Sequence, residues 1–246
     1  YHNRPQYAEK LLHFLQVTYV LGKRSEVADV GAGTGFLTRL LLRSGCRVYA
    51  IEPNAEMRAV AEAELGGQPG FTSLAGQAEQ LPLEDASVDA VTVGQALHWF
   101  NMEEARAEFL RVLRPNGWCI VADNRAMEDA NDLTRAAEDI CKRYFQDIGK
   151  AAEPPAKVLT LFREYGFNTL RIPNPYICDE ETYVSGFLNS SLAPEPGSPN
   201  HERAASEVRA LFARFAVEGR IVLPFETVVY HGRLKPVRTH PVSFMR

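Results

Sequence analysis

Three glycines at alternate positions close the segment Val27-Ala28-Asp29-Val30-Gly31-Ala32-Gly33-Thr34-Gly35, between an apolar run and the helix-like Phe36–Arg43. No other feature of the chain restricts its fold so strongly. Glycine reaches positive φ without strain and carries no side chain, so a strand can turn sharply into a helix and its backbone can approach a ligand closely. Similar punctuation recurs downstream. Gly45 closes the helix, Arg47–Ile51 reads as a strand, and Asn54 caps a helix over Ala55–Leu65 that the Gly66-Gly67 pair ends. Phe71–Ala75 and Val88–Val93 read as strands, the second a largely apolar run, interrupted by Asp89 and Thr92, of the kind buried on both faces. Asn101 and Glu104 form the pattern of a capping box opening a helix over Met102–Leu113; the turn Arg114-Pro115-Asn116-Gly117 then leads into a strand over Trp118–Ala122. Strand and helix alternating in this way predict crossover units: an α/β, doubly wound, mostly parallel sheet.

The flanking segments read differently. Ala8, Leu11, Leu12, Leu15 and Tyr19 mark one face of a helix within residues 5–21, ended by Gly22. Beyond Asp123, residues 128–146, 156–165, 180–189 and 203–218 read as helices, with strands near Thr169–Ile172 and over Glu226–Leu234 that bring the sheet to seven. Ala193–Asn200, with its prolines and glycine, reads as a surface loop. The expected organisation is an N-terminal helix within 1–24 that joins a helical cover, a ligand-binding core over 25–125, remaining core elements plus the cover over 126–222, and a last strand and tail over 223–246.

A net charge of −4 with an isoelectric point near 5.9 argues against a nucleic-acid partner, since polyanion binders carry basic surfaces. The apolar stretches fall short of the roughly 20 residues that cross a bilayer, so no membrane partner is expected. Four scattered cysteines without a Cys-x-x-Cys pair fit reduced thiols and a cytoplasmic location. No histidine has ligand-spaced Cys or His companions, so no metal is expected.

Glu52 ends the second strand, 52 − 35 = 17 residues past the last glycine. Open parallel sheets bind ligands beyond the carboxyl ends of their strands, and a carboxylate there can accept hydrogen bonds from both hydroxyls of a ribose. Glycine loop and acid together indicate a nucleoside-type ligand, and they suit a nicotinamide dinucleotide nearly as well as any other. The loop, however, is Gly-x-Gly-x-Gly and not the Gly-x-Gly-x-x-Gly that seats a pyrophosphate.

Asp29–Gly35 closely resembles the first motif of class I S-adenosylmethionine-dependent methyltransferases, which share a Rossmann-like sheet. Gly76-Gln77-Ala78-Glu79-Gln80-Leu81-Pro82-Leu83 is similar to the adenine-side segment of their small-molecule branch (type 11-like), and Gln95-Ala96-Leu97-His98-Trp99-Phe100 to the segment that follows its fourth strand. Leu113–Gly117 resembles the family's next turn; Tyr1–Tyr7 and Thr227–Leu234 resemble the branch's ends more loosely. The resemblance implies that Asp29 and the backbone of Gly31, Ala32, Gly33, Thr34 and Gly35 face the methionine moiety of S-adenosylmethionine and that Glu52 binds its ribose. It implies that Pro53 and Met57 contact the adenine face, that Gln77, Ala78 and Glu79 line the adenine edge (the family more often has aspartate in place of Gln77), and that Gln95 lies near the methionine end.

The implied reaction is in-line methyl transfer to a small-molecule acceptor, with S-adenosylhomocysteine as product. Such transfer depends mainly on positioning, and His98 is the candidate general base where the acceptor must lose a proton. Tyr7, His98, Trp99, Phe100, Tyr183 and Phe187 are expected to wall the acceptor pocket. A nicotinamide-dependent oxidoreductase and a non-catalytic binder of S-adenosylmethionine are the alternatives; the first gives the segments at 76–83 and 95–100 no role.

Overall fold

The computed structural model describes residues 5–19, 21–146, 153–190 and 192–236. Its strands are β1 (Glu26–Val30), β2 (Arg47–Ile51), β3 (Phe71–Leu74), β4 (Val88–Gly94), β5 (Leu113–Ala126), β6 (Asn168–Pro173), β7 (Tyr176–Cys178), β8 (Ile221–Leu223) and β9 (Phe225–Gly232). Its helices are α1 (Glu9–Tyr19), α2 (Phe36–Arg43), α3 (Ala55–Leu65), α4 (Met102–Val112), α5 (Asp132–Tyr144), α6 (Ala156–Leu161), α7 (Glu180–Leu188) and α8 (Pro199–Phe215), with a 3-10 turn at Leu97–Trp99. Seven strands form one sheet in the order β3-β2-β1-β4-β5-β9-β6. β1 pairs in parallel with β2 and with β4, β2 with β3, and β4 with β5. The chain therefore runs outward from β1 to β3 and returns on the other side of β1 at β4. The carboxyl ends of β1 and β4 flank the switch point where doubly wound sheets bind ligands.

The described residues fall into two compact units. The sheet unit is drawn from Gln6–Asp123, Ala152–Ile172 and Thr227–Arg246. Its central strands β1, β4 and β9 are buried on both faces, whereas the edge strands β3 and β6 are largely half-buried or exposed. Alternate residues serve alternate layers: Val228 and Val121 pack with Phe100, Phe109 and Phe162, whereas Val229 and Ile120 pack with Leu11, Leu15, Leu37 and Leu41. The helical unit is drawn mainly from Asn124–Ala151 and Pro173–Glu226, and α5, α7 and α8 with the β7–β8 ribbon enclose a core of Leu133, Ile140, Tyr183, Val184, Val208 and Phe212.

Several expectations change. α1 belongs to the sheet unit and not to a cover, because Leu11, Leu15 and Tyr19 pack into one layer of the sheet's core and the Thr227 hydroxyl accepts the Ala8 N–H at 3.1 Å. Asn54 caps α3 as expected, accepting from the N–H groups of Glu56 and Met57. Asn101 does not cap α4 with its side chain; its own N–H is taken by Glu79 at 2.7 Å. The Arg114–Gly117 turn is absorbed into β5 as an irregularity, with Val88 opposite Leu113 and Ala90 opposite Trp118. α8 begins at Pro199, inside the expected loop, because the Ser198 hydroxyl accepts from His201 N–H and proline is suited to a first helical turn. The short β7–β8 ribbon carries too little pattern to read in sequence. The Tyr1–Arg4 part of the N-terminal resemblance, and residues 237–246 of the tail, lie outside the described residues.

Candidate functional site

The glycine loop leaves β1 and enters α2 with φ of 70°, 56° and 88° at Gly31, Gly33 and Gly35. The three glycines are required for different reasons. A Cβ on Gly31 would lie 2.6 Å from the Ala96 Cβ and 3.2 Å from the Phe100 ring; one on Gly35 would lie 2.6 Å from Leu65 Cδ1. Those two positions are closed by the protein itself. A Cβ on Gly33 would meet only Met57 Sδ, at 4.0 Å, so here the loop presents bare backbone to open space. The Gly31 and Ala32 N–H groups donate to Ile51 O at 2.8 and 3.1 Å, which pins the loop to the end of β2.

Glu52 follows Ile51 and is 8% exposed. Its two carboxylate oxygens accept from Gly33 N–H at 3.0 Å and from Asn54 N–H at 2.9 Å. A carboxylate oxygen has a second lone-pair direction, so the group retains acceptor capacity while tying the loop to the start of α3. Arg58 donates to the carbonyls of Glu52 and Pro53 at 2.8 and 2.9 Å and holds this corner from behind. Pro53 is exposed and Met57 half-buried.

Asp29 is placed otherwise than expected. Its side chain is fully buried; its oxygens accept from the Thr38 hydroxyl at 2.6 Å and the Thr92 hydroxyl at 3.0 Å. Burial pushes its pKa up to about 6, against the lowering effect of these hydroxyls; the nearby Glu52 carboxylate adds a smaller upward push. The carboxylate is thus a brace between β1, α2 and β4, and only the backbone that follows it reaches the loop.

The segment after β3 leaves Gln77 exposed and puts Ala78 in the core, 2% exposed. Glu79 points to the next segment through its bond to Asn101 N–H instead of lining an open edge. This stretch is held from α4: Glu108 accepts Leu81 N–H at 2.8 Å, and Arg111 donates to the carbonyls of Leu81 and Leu83 at 3.0 and 2.7 Å. Arg111 beside it holds the Glu108 carboxyl below the usual range. Neither residue stands out in sequence, because a Glu and Arg three apart on a helix read as a surface pair.

After β4 the chain turns through Gln95, a non-glycine residue at φ 52° whose N–H donates to Ala122 O at 3.1 Å. Such a conformation costs about 1–3 kcal/mol and marks a position fixed by its surroundings. In the following 3-10 turn Leu97 is buried, His98 exposed and Trp99 80% exposed, with the His98 and Trp99 rings 4.9 Å apart. Phe100 turns inward, edge-on to Phe109 at 6.4 Å, and is a core wedge instead of a pocket wall. Tyr7 is also buried, with its hydroxyl over Gly94 and 3.4 Å from Ala122 O. Tyr183 is 3% exposed inside the helical unit's own core, against Phe187 at 5.1 Å and Phe212 at 5.8 Å, so its ring is committed to that packing. Among the described residues, no group of three or more His, Cys, Asp or Glu is arranged to hold a metal ion, and no helix is long and apolar enough to cross a membrane.

Loop, acid and turn form one surface at the carboxyl ends of β1, β2 and β4. Residues 28–121, which carry all three, match the family model described as a methyltransferase domain. An uncharacterized methyltransferase of Mycobacterium tuberculosis is 43% identical over 114 residues, 46% of this chain and 44% of the relative, so the chain matches less than half of that protein's length. An uncharacterized methyltransferase of a Geobacillus species is 34% identical over 151 residues, 58% of this chain and 70% of the relative. In three dimensions the chain is similar to a candidate type II methyltransferase of Anaeromyxobacter dehalogenans, with a TM-score of 0.67 over 95% of this chain and 99% of the other; at 21% identity this likeness concerns the fold.

Proposed function

Because this chain belongs to the methyltransferase domain family, we propose that it transfers a methyl group from S-adenosylmethionine to a small-molecule acceptor and releases S-adenosylhomocysteine. One observation carries the cofactor reading. The loop's only glycine with open space at its missing Cβ, Gly33, is bonded to Glu52, a carboxylate that still has acceptor capacity. A ribose diol needs two acceptor directions beside a backbone without side chains, and these residues fit it. Gly33 and Glu52 would hold the ribose, Met57 and the exposed Pro53 would offer apolar contact to the adenine, and Gln77 a polar edge. Gln95 would lie toward the methionine end.

When bound, the cofactor supplies a methyl group already made electrophilic by its sulfonium. The protein's share is to bind, orient and exclude water, which can lower a barrier by ~7–11 kcal/mol. His98, exposed on the turn after β4, is the group that would accept a proton from the acceptor hydroxyl or amine, and Trp99 beside it is a flat apolar surface for the acceptor body. Titration calorimetry tests the cofactor reading. S-adenosylhomocysteine is expected to bind saturably and NADH not to compete; saturable NADH binding with no heat from either sulfur ligand overturns it.

A further inference from the structure

Lys157 lies outside every motif in the sequence, on the short helix α6, yet its ammonium donates to the carbonyls of both His98 and Phe100 at 2.7 Å each. The turn's internal bonds use other carbonyls: Trp99 N–H donates to Ala96 O and Phe100 N–H to Leu97 O. Lys157 therefore supplies the donors that the turn itself leaves out. The helix that carries it is immobilised by the core. Val158 and Leu161 are fully buried and Phe162 nearly so, and the buried Arg106 of α4 donates to Leu161 O at 3.1 Å.

The clamped turn also touches the cofactor loop. Ala96 and Phe100 fill the space where a Cβ on Gly31 would stand, and Asn101, next in the chain, is held by Glu79 of the segment after β3. His98 and Trp99 project from this turn with exposed side chains, so the backbone of the turn sets where they leave the chain. We propose that Lys157 is a positioning residue that fixes the His98–Trp99 turn and, through Phe100 and Gly31, the cofactor loop, so that removing its ammonium weakens cofactor binding at a site it does not touch. The inference rests on the cofactor reading above.

The test compares S-adenosylhomocysteine binding by calorimetry in the wild type, Lys157→Met, Lys157→Gln and Lys157→Arg. Lys157→Met is expected to weaken binding roughly 3- to 10-fold, about 0.6–1.4 kcal/mol, which lies within the 0.5–2 kcal/mol over which packed side chains typically couple. Lys157→Arg, which keeps several donors, should return to within about 2-fold of wild type, with Lys157→Gln in between. Tyr230→Phe, which loses the hydroxyl bonded to Glu153 elsewhere in the sheet unit, controls for general loss of stability and should leave affinity unchanged. Unchanged affinity in Lys157→Met, an Arg variant as weak as the Met variant, or an equal loss in Tyr230→Phe each overturn the proposal. A second readout needs no ligand. In a Trp118→Phe background Trp99 is the sole tryptophan, and its fluorescence anisotropy should fall in Lys157→Met and recover in Lys157→Arg. If wild type binds no S-adenosylhomocysteine, the cofactor reading fails and the anisotropy alone decides on Lys157, an unchanged value overturning it.

Discussion

The proposed site asks two tasks of Glu52. It accepts two backbone N–H groups within the protein, and in the proposed complex it accepts two ribose hydroxyls as well. Glu52→Ala is expected to weaken S-adenosylhomocysteine binding by ~2–4 kcal/mol, at ~1.5–3 per charged hydrogen bond with losses not fully additive. The same change strands the N–H groups of Gly33 and Asn54, so stability should fall too; Glu52→Gln keeps an acceptor oxygen and should lose less of both. Calorimetry and thermal melts on the two variants separate the effects, and unchanged affinity in both removes Glu52 from the cofactor site. His98 is different because the protein holds its backbone and leaves its ring exposed. As a base, His98→Ala should lower turnover at least ~100-fold while leaving cofactor affinity nearly intact, and His98→Asn should fail as badly, since an amide cannot take a proton. Near-normal turnover in His98→Asn, measured with an acceptor found by screening, would assign the residue to positioning alone.

At the scale of elements, the site depends on contacts between segments far apart in the chain. Asp29 joins β1 to α2 and β4 through the Thr38 and Thr92 hydroxyls, and it does so as a fully buried carboxylate with a pKa near 6. A pKa raised on folding means the native state binds the proton more tightly than the unfolded chain. Its contribution is therefore fully present below the unfolded value near 4 and is lost as pH rises through 6. Relative to Asp29→Asn, which carries no charge, the wild type should lose about 2 kcal/mol of stability between pH 4 and pH 6, the slope approaching ~1.36 kcal/mol per unit only in mid-window. Denaturant melts of both proteins across that range check it; a constant difference would mean the carboxylate is not held in this buried form. α4 makes a parallel link, since Glu108 and Arg111 hold the backbone after β3 while its N-terminal flank is set by Glu79.

For the whole molecule, the two units have separate hydrophobic cores, and all the loop, acid and turn residues of the proposed cofactor site belong to the sheet unit. A ligand at 100 times its dissociation constant adds ~2.7 kcal/mol, which for a chain of this size raises the melting temperature by ~5–10 °C. Hydrogen exchange with S-adenosylhomocysteine should slow most in β1, β2 and the turns after them; protection confined to α5 and α8 would put the ligand elsewhere. The sequence by itself determined the sheet unit's order of strands and helices and the glycine loop between β1 and α2, because both are written in local signals: apolar runs, a capping Asn54, and glycines where φ must be positive. It equally determined that Glu52 follows the second strand beside that loop. Only the tertiary structure decided what each residue does there. Asp29 turned inward because Thr38 and Thr92 arrive from other elements, Tyr7 and Phe100 became core because Gly94 and Gly31 leave room for them, and α1 joined the sheet because its apolar face meets α2. The clamp from Lys157 spans 57 and 59 residues to Phe100 and His98, and no local pattern encodes it. Periodicity and turn chemistry act between near neighbours in sequence, whereas a buried polar group is satisfied by whatever donor the fold brings to it.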